Sequence, residues 1–101
     1  MATVCEVVNF RVKPGRYADL FAALKAGKSL LERLGEQVVY YRVAVGGEVG
    51  DVVAVGQYAD WAAHAKAVSD PEWQKFVEAT QNNPNPPWES LRTSIVEELT
   101  L

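Results

Sequence analysis

His64 is the chain's only histidine, and imidazole is the side chain that ordinarily changes charge near neutral pH. It lies on a predicted helical stripe with Trp61, Ala65 and Val68, which turns it toward an apolar surface where it could act as a base or hold a ligand. Asn9, Tyr40 and Arg42, with Glu6, Arg11 and Gln57, fall inside predicted strands. A sheet covered on both sides makes some of these buried polar groups that need partners, and a few converging polar groups are what orient a substrate in an apolar pocket. In such a site His64 would take a proton from an acidic C–H or phenol, and Asn9 and Tyr40 would stabilise the oxyanion left behind. Trp61 opens a helix beside His64 and is the aromatic best placed to line the pocket. The plainer alternative stays open for each residue. His64 is then a hydrogen-bonded boundary histidine, and Arg11 and Arg42 are strand-end residues or partners of Glu6, Glu97 or Glu98. Trp73, spaced with Phe76 and Val77, is then simple core.

Other chemistries lack their parts. There is no His/Cys/Asp cluster at zinc spacing and no glycine-rich loop opening a helix. Gly46, Gly47 and Gly50 belong to a turn, Cys5 has no recognisable base beside it, and neither a metal nor an organic cofactor is implied. A net charge of −3 with scattered basic residues argues against nucleic acid as a partner. No stretch approaches the ~18 apolar residues of a membrane span, and the first twelve residues do not read as a signal peptide. A lone cysteine cannot form an internal disulfide. These features predict a soluble, unexported, cytoplasmic protein.

The elements that must position these residues read clearly. Thr3 to Val12 alternates as a strand ended by Pro14 and Gly15, and Arg16 to Leu34 carries Tyr17, Leu20, Phe21, Leu24, Leu31 and Leu34 at helical spacing. Gly27 falls on that stripe, which predicts close approach of the helix to the sheet. Gln37 to Tyr58 reads as a hairpin turning through residues 46–50. Asp60 is a predicted N-cap. Ser69, Asp70, Pro71 and Glu72 supply a second helix start, either as a capping box on Ser69 or with Asp70 as cap and Pro71 at the first helical position. Gln81 to Pro87 must be irregular, and Leu91 to Leu99 reads as the last strand. The order is that of a ferredoxin-like βαββαβ domain spanning 1–101, a four-stranded antiparallel sheet with two helices on one face.

The hairpin carries one further implication. Val39, Tyr41, Val43 and Val45 point to one side and Val38, Tyr40 and Ala44 to the other, while Val53 and Val55 oppose Val52, Ala54 and Tyr58. A sheet with one wet face should alternate apolar and polar residues. Here both faces need covering, and the helices suffice for one. The second face predicts a homodimer through the sheet.

The chain resembles the dimeric α+β barrel superfamily, and within it the small NIPSNAP-like and antibiotic-biosynthesis-monooxygenase-like proteins. The resemblance rests on Val12, Lys13, Pro14 and Gly15 closing the first strand, on Tyr58, Ala59, Asp60 and Trp61, and on Ser69 to Trp73 opening a helical segment. It implies that the sheets of two subunits press together into a barrel. It also implies a small aromatic or polyketide-like ligand and, by analogy, a cofactor-independent monooxygenase or isomerase in which a substrate carbanion reacts directly with oxygen. Haem-degrading members of the superfamily use an Asn on the first strand, which Asn9 matches, and a helical His where this chain has Phe76 or Val77, so haem is disfavoured. The rival expectation is a non-catalytic ligand-binding or assembly module built on the same dimer.

Overall fold

The computed structural model describes residues 3–100; Met1, Ala2 and Leu101, counted in the domain expected over 1–101, lie outside the described residues. In chain order the elements are β1 (Val4–Val12), α1 (Tyr17–Arg33), β2 (Gln37–Arg42), β3 (Val52–Tyr58), α2 (Trp61–Val68), α3 (Pro71–Gln81) and β4 (Trp88–Glu97). This is the expected βαββαβ order with its second helix broken in two. The strands form one antiparallel sheet in the order β2-β3-β1-β4.

Register decides which side chains meet. Val8 lies opposite Ala54 and Thr93, Phe10 opposite Val52 and Leu91, and Tyr40 opposite Ala54, so these residues share one face. Helices cover that face: Phe10 and Val52 bury Leu20 of α1, and Val4 and Tyr58 bury Ala67 of α2. The opposite face carries Val7, Asn9, Val39, Tyr41, Val53, Val55 and Val96. On that face Val39, Tyr41 and Val96 remain about half exposed. The hairpin thus has the two apolar faces read from its sequence, and only one is covered within the chain.

Local signals explain the helix ends. Asp60 accepts from the Ala63 amide at 2.8 Å, and Asp70 Oδ1 accepts from the Glu72 and Trp73 amides at 2.9 and 3.1 Å with Pro71 at the first helical turn. Asp70 is therefore the second cap, and the Ser69 hydroxyl instead donates to the Lys66 carbonyl. Three expectations change. Strand β2 ends at Arg42, although Val43 still exchanges backbone hydrogen bonds with Asp51 and Gly50, and Val45 is almost wholly exposed in a longer loop whose Gly46, Gly47 and Gly50 take positive φ. Strand β4 begins at Trp88 and stops at Glu97, short of the exposed Leu99. Gly27 permits approach of α3, since an added Cβ would sit 3.3 Å from the Phe76 ring.

Candidate functional site

Between the covered face of the sheet and helices α1 and α3 lies a cavity of about 410 Å³. Its walls come from helical periodicity: Leu20, Leu24, Gly27 and Leu31 of α1 face Trp73, Phe76, Val77 and Thr80 of α3, and Val8 and Ala54 form part of the floor. Trp73 and Phe76 stack with centroids 5.4 Å apart, and Phe10 meets Trp88 at 5.5 Å with tilted rings. The lining is thus largely aromatic and aliphatic. Such a surface suits a flat apolar molecule.

One carboxylate enters it from a buried position. Glu36 directly precedes β2, shares the parity of Val38 and Tyr40, and is only 5% exposed. Its Oε2 accepts the Tyr58 hydroxyl at 2.5 Å, and its carboxyl group lies over Gly56, where an added Cβ would coincide with it. Burial, reinforced by the nearby Glu6 carboxylate and opposed by the Tyr58 hydrogen bond, pushes Glu36 up to about 7. Burial and then the Glu36 carboxylate push the Tyr58 hydroxyl far above its ordinary value, so it stays a donor. Tyr40 is pushed up to about 12, first by burial and then by Glu36 and Glu32, and its hydroxyl donates to the Leu24 carbonyl at 2.6 Å. Glu36 therefore divides between acid and base forms near neutrality inside an apolar cavity, a property sought in a general acid or base.

The residues singled out from sequence are distributed unequally around this cavity. Tyr40 lines it. His64 stands one residue behind the lining: its Nε2 is 3.4 Å from Oε2 of Glu6, which does line the cavity, and its ring meets Tyr58 edge-on at 4.9 Å. Trp61 contacts His64 at 6.0 Å, but its indole N–H reaches Glu97 Oε2 at 2.5 Å and its ring is half exposed. Asn9 pairs opposite Val53 and Arg92 and lies on the other side of the sheet. Arg42 is exposed at the end of β2. The expected constellation is thus divided, because residue 9 has the parity of the uncovered face, whereas Tyr40, paired opposite Ala54, has that of the covered one. Ala65, expected on the inward stripe of α2, is exposed, and Ala67 is buried in its place.

Glu36 is the residue that sequence reasoning missed. Two signals were available: its period-two spacing with Val38 and Tyr40, and Gly56 opposite Val38, which leaves room on the sheet for a carboxylate. Among the described residues no three His, Cys, Asp or Glu side chains converge as a metal site, and no helix is long and apolar enough to cross a membrane.

Comparison with known proteins places this geometry in context. The family model described as NIPSNAP matches residues 5–84. A search of curated proteins found no match. Among solved structures the chain is similar to SnoaB, a cofactor-independent oxygenase from Streptomyces nogalater, with TM-score 0.73 and 13% identity over 100% of this chain and 97% of that one. It is similar to a NIPSNAP domain protein from Burkholderia xenovorans, with TM-score 0.65 and 17% identity over 92% of this chain and 91% of that one. It is also similar to a protein from Bordetella bronchiseptica provisionally described as an antibiotic biosynthesis monooxygenase, with TM-score 0.69 and 16% identity over 100% and 99%. At these identities the structural likeness establishes the ferredoxin-like fold.

Proposed function

The chain belongs to the NIPSNAP family, and from that premise we propose that it is a cytoplasmic, dimeric α+β barrel protein that binds a small, flat, hydrophobic ligand between the sheet and helices α1 and α3. The observation that carries this reading is a buried carboxylate, Glu36, held by Tyr58 on the wall of a largely apolar cavity of about 410 Å³. The chemistry that suits it is cofactor-independent oxygenation or isomerisation of an aromatic or polyketide-like compound. SnoaB, on the same fold, is a cofactor-independent oxygenase.

In this mechanism the ionised Glu36 takes a proton from a C–H flanked by a carbonyl or aromatic rings. The electron pair stays on the substrate as an enolate. Tyr58 fixes the carboxyl group by its hydrogen bond to Oε2, a remaining carboxylate lone pair takes the proton, and the new carboxylic acid can hydrogen-bond to the enolate oxygen. Returning the proton to another carbon completes an isomerisation; transferring the electrons to molecular oxygen begins an oxygenation. His64 acts at one remove, through Glu6, and Tyr40 shapes the wall, its hydroxyl proton being committed to Leu24.

The test uses anthrone, a tricyclic ketone with an acidic C–H. Anthrone and one O₂ give anthraquinone and one water. Faster oxygen uptake with the protein than in buffer, lost in Glu36→Gln, is the expected result. Binding detected by tryptophan quenching without oxygen uptake or isomerisation would identify the rival non-catalytic module. Absence of both binding and turnover would remove the cavity as a ligand site.

A further inference from the structure

We propose that the cavity selects its ligand by charge: it takes a flat aromatic molecule whose polar end is a proton donor, an amine or a phenol, and turns away carboxylates and phosphates. This deepens the ligand-binding reading above and rests on it. The charged groups of the lining are all of one sign. Glu6 and Glu36 line the cavity and, among the described residues, no lysine or arginine does. A bound anion would meet Glu6 and the ionised form of Glu36, with no lysine or arginine in the lining to offset them, in a space where low dielectric strengthens the repulsion.

The positive side of the selection comes from the same geometry. Glu36 is 5% exposed, and Tyr58 donates to only one of its carboxyl oxygens. The other, set against Gly56, keeps acceptor capacity for a donor on the ligand, and a charged donor makes the stronger bond to a carboxylate. Two hydroxyls of the lining are already committed as donors, Tyr40 to the Leu24 carbonyl and Thr80 to the Phe76 carbonyl. The Trp73–Phe76 and Phe10–Trp88 pairs offer ring faces that attract a cation and stack on an aromatic body.

Three fluorescent probes of nearly one shape test this directly: 9-(aminomethyl)anthracene, 9-anthracenemethanol and 9-anthracenecarboxylate, titrated at neutral pH against the full chain. The amine should bind about tenfold or more tightly than the carboxylate, with the alcohol between them. Glu36→Gln should narrow the gap between amine and carboxylate several-fold. Ala54→Trp on the floor, or Thr80→Trp on the wall should the first not fold, should abolish binding of all three and so locate it. A carboxylate that binds as well as the amine, or a gap untouched by Glu36→Gln, would overturn the charge selection while leaving the ligand site standing. Failure of all three probes to bind would overturn both readings.

Discussion

The Glu36 carboxyl group reaches the backbone of Gly56 with Oε1 foremost, in the space a side chain at that position would fill. The sheet has a gap in its covered face, and the gap is what admits a carboxylate between helix and strand. Gly56→Ala should therefore expel Glu36 from its place and cost about 1–3 kcal/mol in chemical denaturation, as overpacked sites do. In the Glu36→Ala background the same change should cost much less. A double-mutant cycle showing no coupling would mean that the two residues do not share that space.

Glu36 also sets a pH dependence. Its value near 7 in the folded chain lies above the 4.5 of a free glutamate, so between these values the folded state holds a proton that the unfolded state releases. Its contribution to stability is complete below about pH 4.5, declines as pH rises through 7, and is lost above. The total decline should be at most about 3 kcal/mol. Glu36→Gln should remove this component, visible as a flatter stability difference between pH 4.5 and 8. A variant whose pH profile parallels the wild type would contradict the assignment.

Tyr58 holds Glu36 down by donating to it. Tyr58→Phe should therefore raise the Glu36 carboxyl above its value of about 7, read from its carbon-13 shift across a pH titration. A lowered value would show that the hydroxyl favours the neutral acid instead.

His64 packs against Tyr58 and Trp61 and reaches Glu6 without lining the cavity. His64→Ala should lower stability by roughly 1–3 kcal/mol, through lost packing and an orphaned partner, while ligand affinity stays within about threefold. Loss of binding in a variant that melts like the wild type would return His64 to the ligand.

The uncovered face of the sheet predicts association. Sedimentation at micromolar concentration should give twice the 11.1 kDa chain mass. Val53→Asp should yield monomer or unfolded chain, because it places an unpaired charge on the face expected to be covered by the partner. Glu48→Ala should change little, since its ion pair with Arg11 is solvent-exposed. A soluble wild-type monomer would remove the dimer.

The fold was legible because its signals are local and agree with one another. Asp60, Asp70 and Pro71 mark helix starts whatever lies around them, and the unbroken apolar runs Val38 to Tyr41 and Val52 to Val55 mark strands with two apolar faces without knowledge of their partners. The site was less legible, because it depends on register. Asn9 and Tyr40 both look like pocket residues in sequence, and only the pairing of Tyr40 with Ala54, and of Ala54 with Val8, puts Asn9 on the reverse of the sheet. Glu36 was hidden for a related reason. A glutamate after a helix-ending glycine reads as a surface residue until Gly56 is found beneath it, twenty residues away in the chain.

Gly27 gives the cavity an adjustable aperture. It sits where α1 meets the Phe76 ring, and a methyl group there would stand 3.3 Å from two ring carbons. A mid-helix glycine costs up to about 1 kcal/mol relative to alanine, so Gly27→Ala should strengthen the helix while requiring the Phe76 ring to yield by a few tenths of an ångström. Residue size at this position therefore acts as a shim between the two walls. In the proposed ligand site, a larger residue here should change the girth of the molecule admitted while leaving Glu36 and Tyr58 in place, which would separate ligand size from ligand chemistry as independently selectable traits.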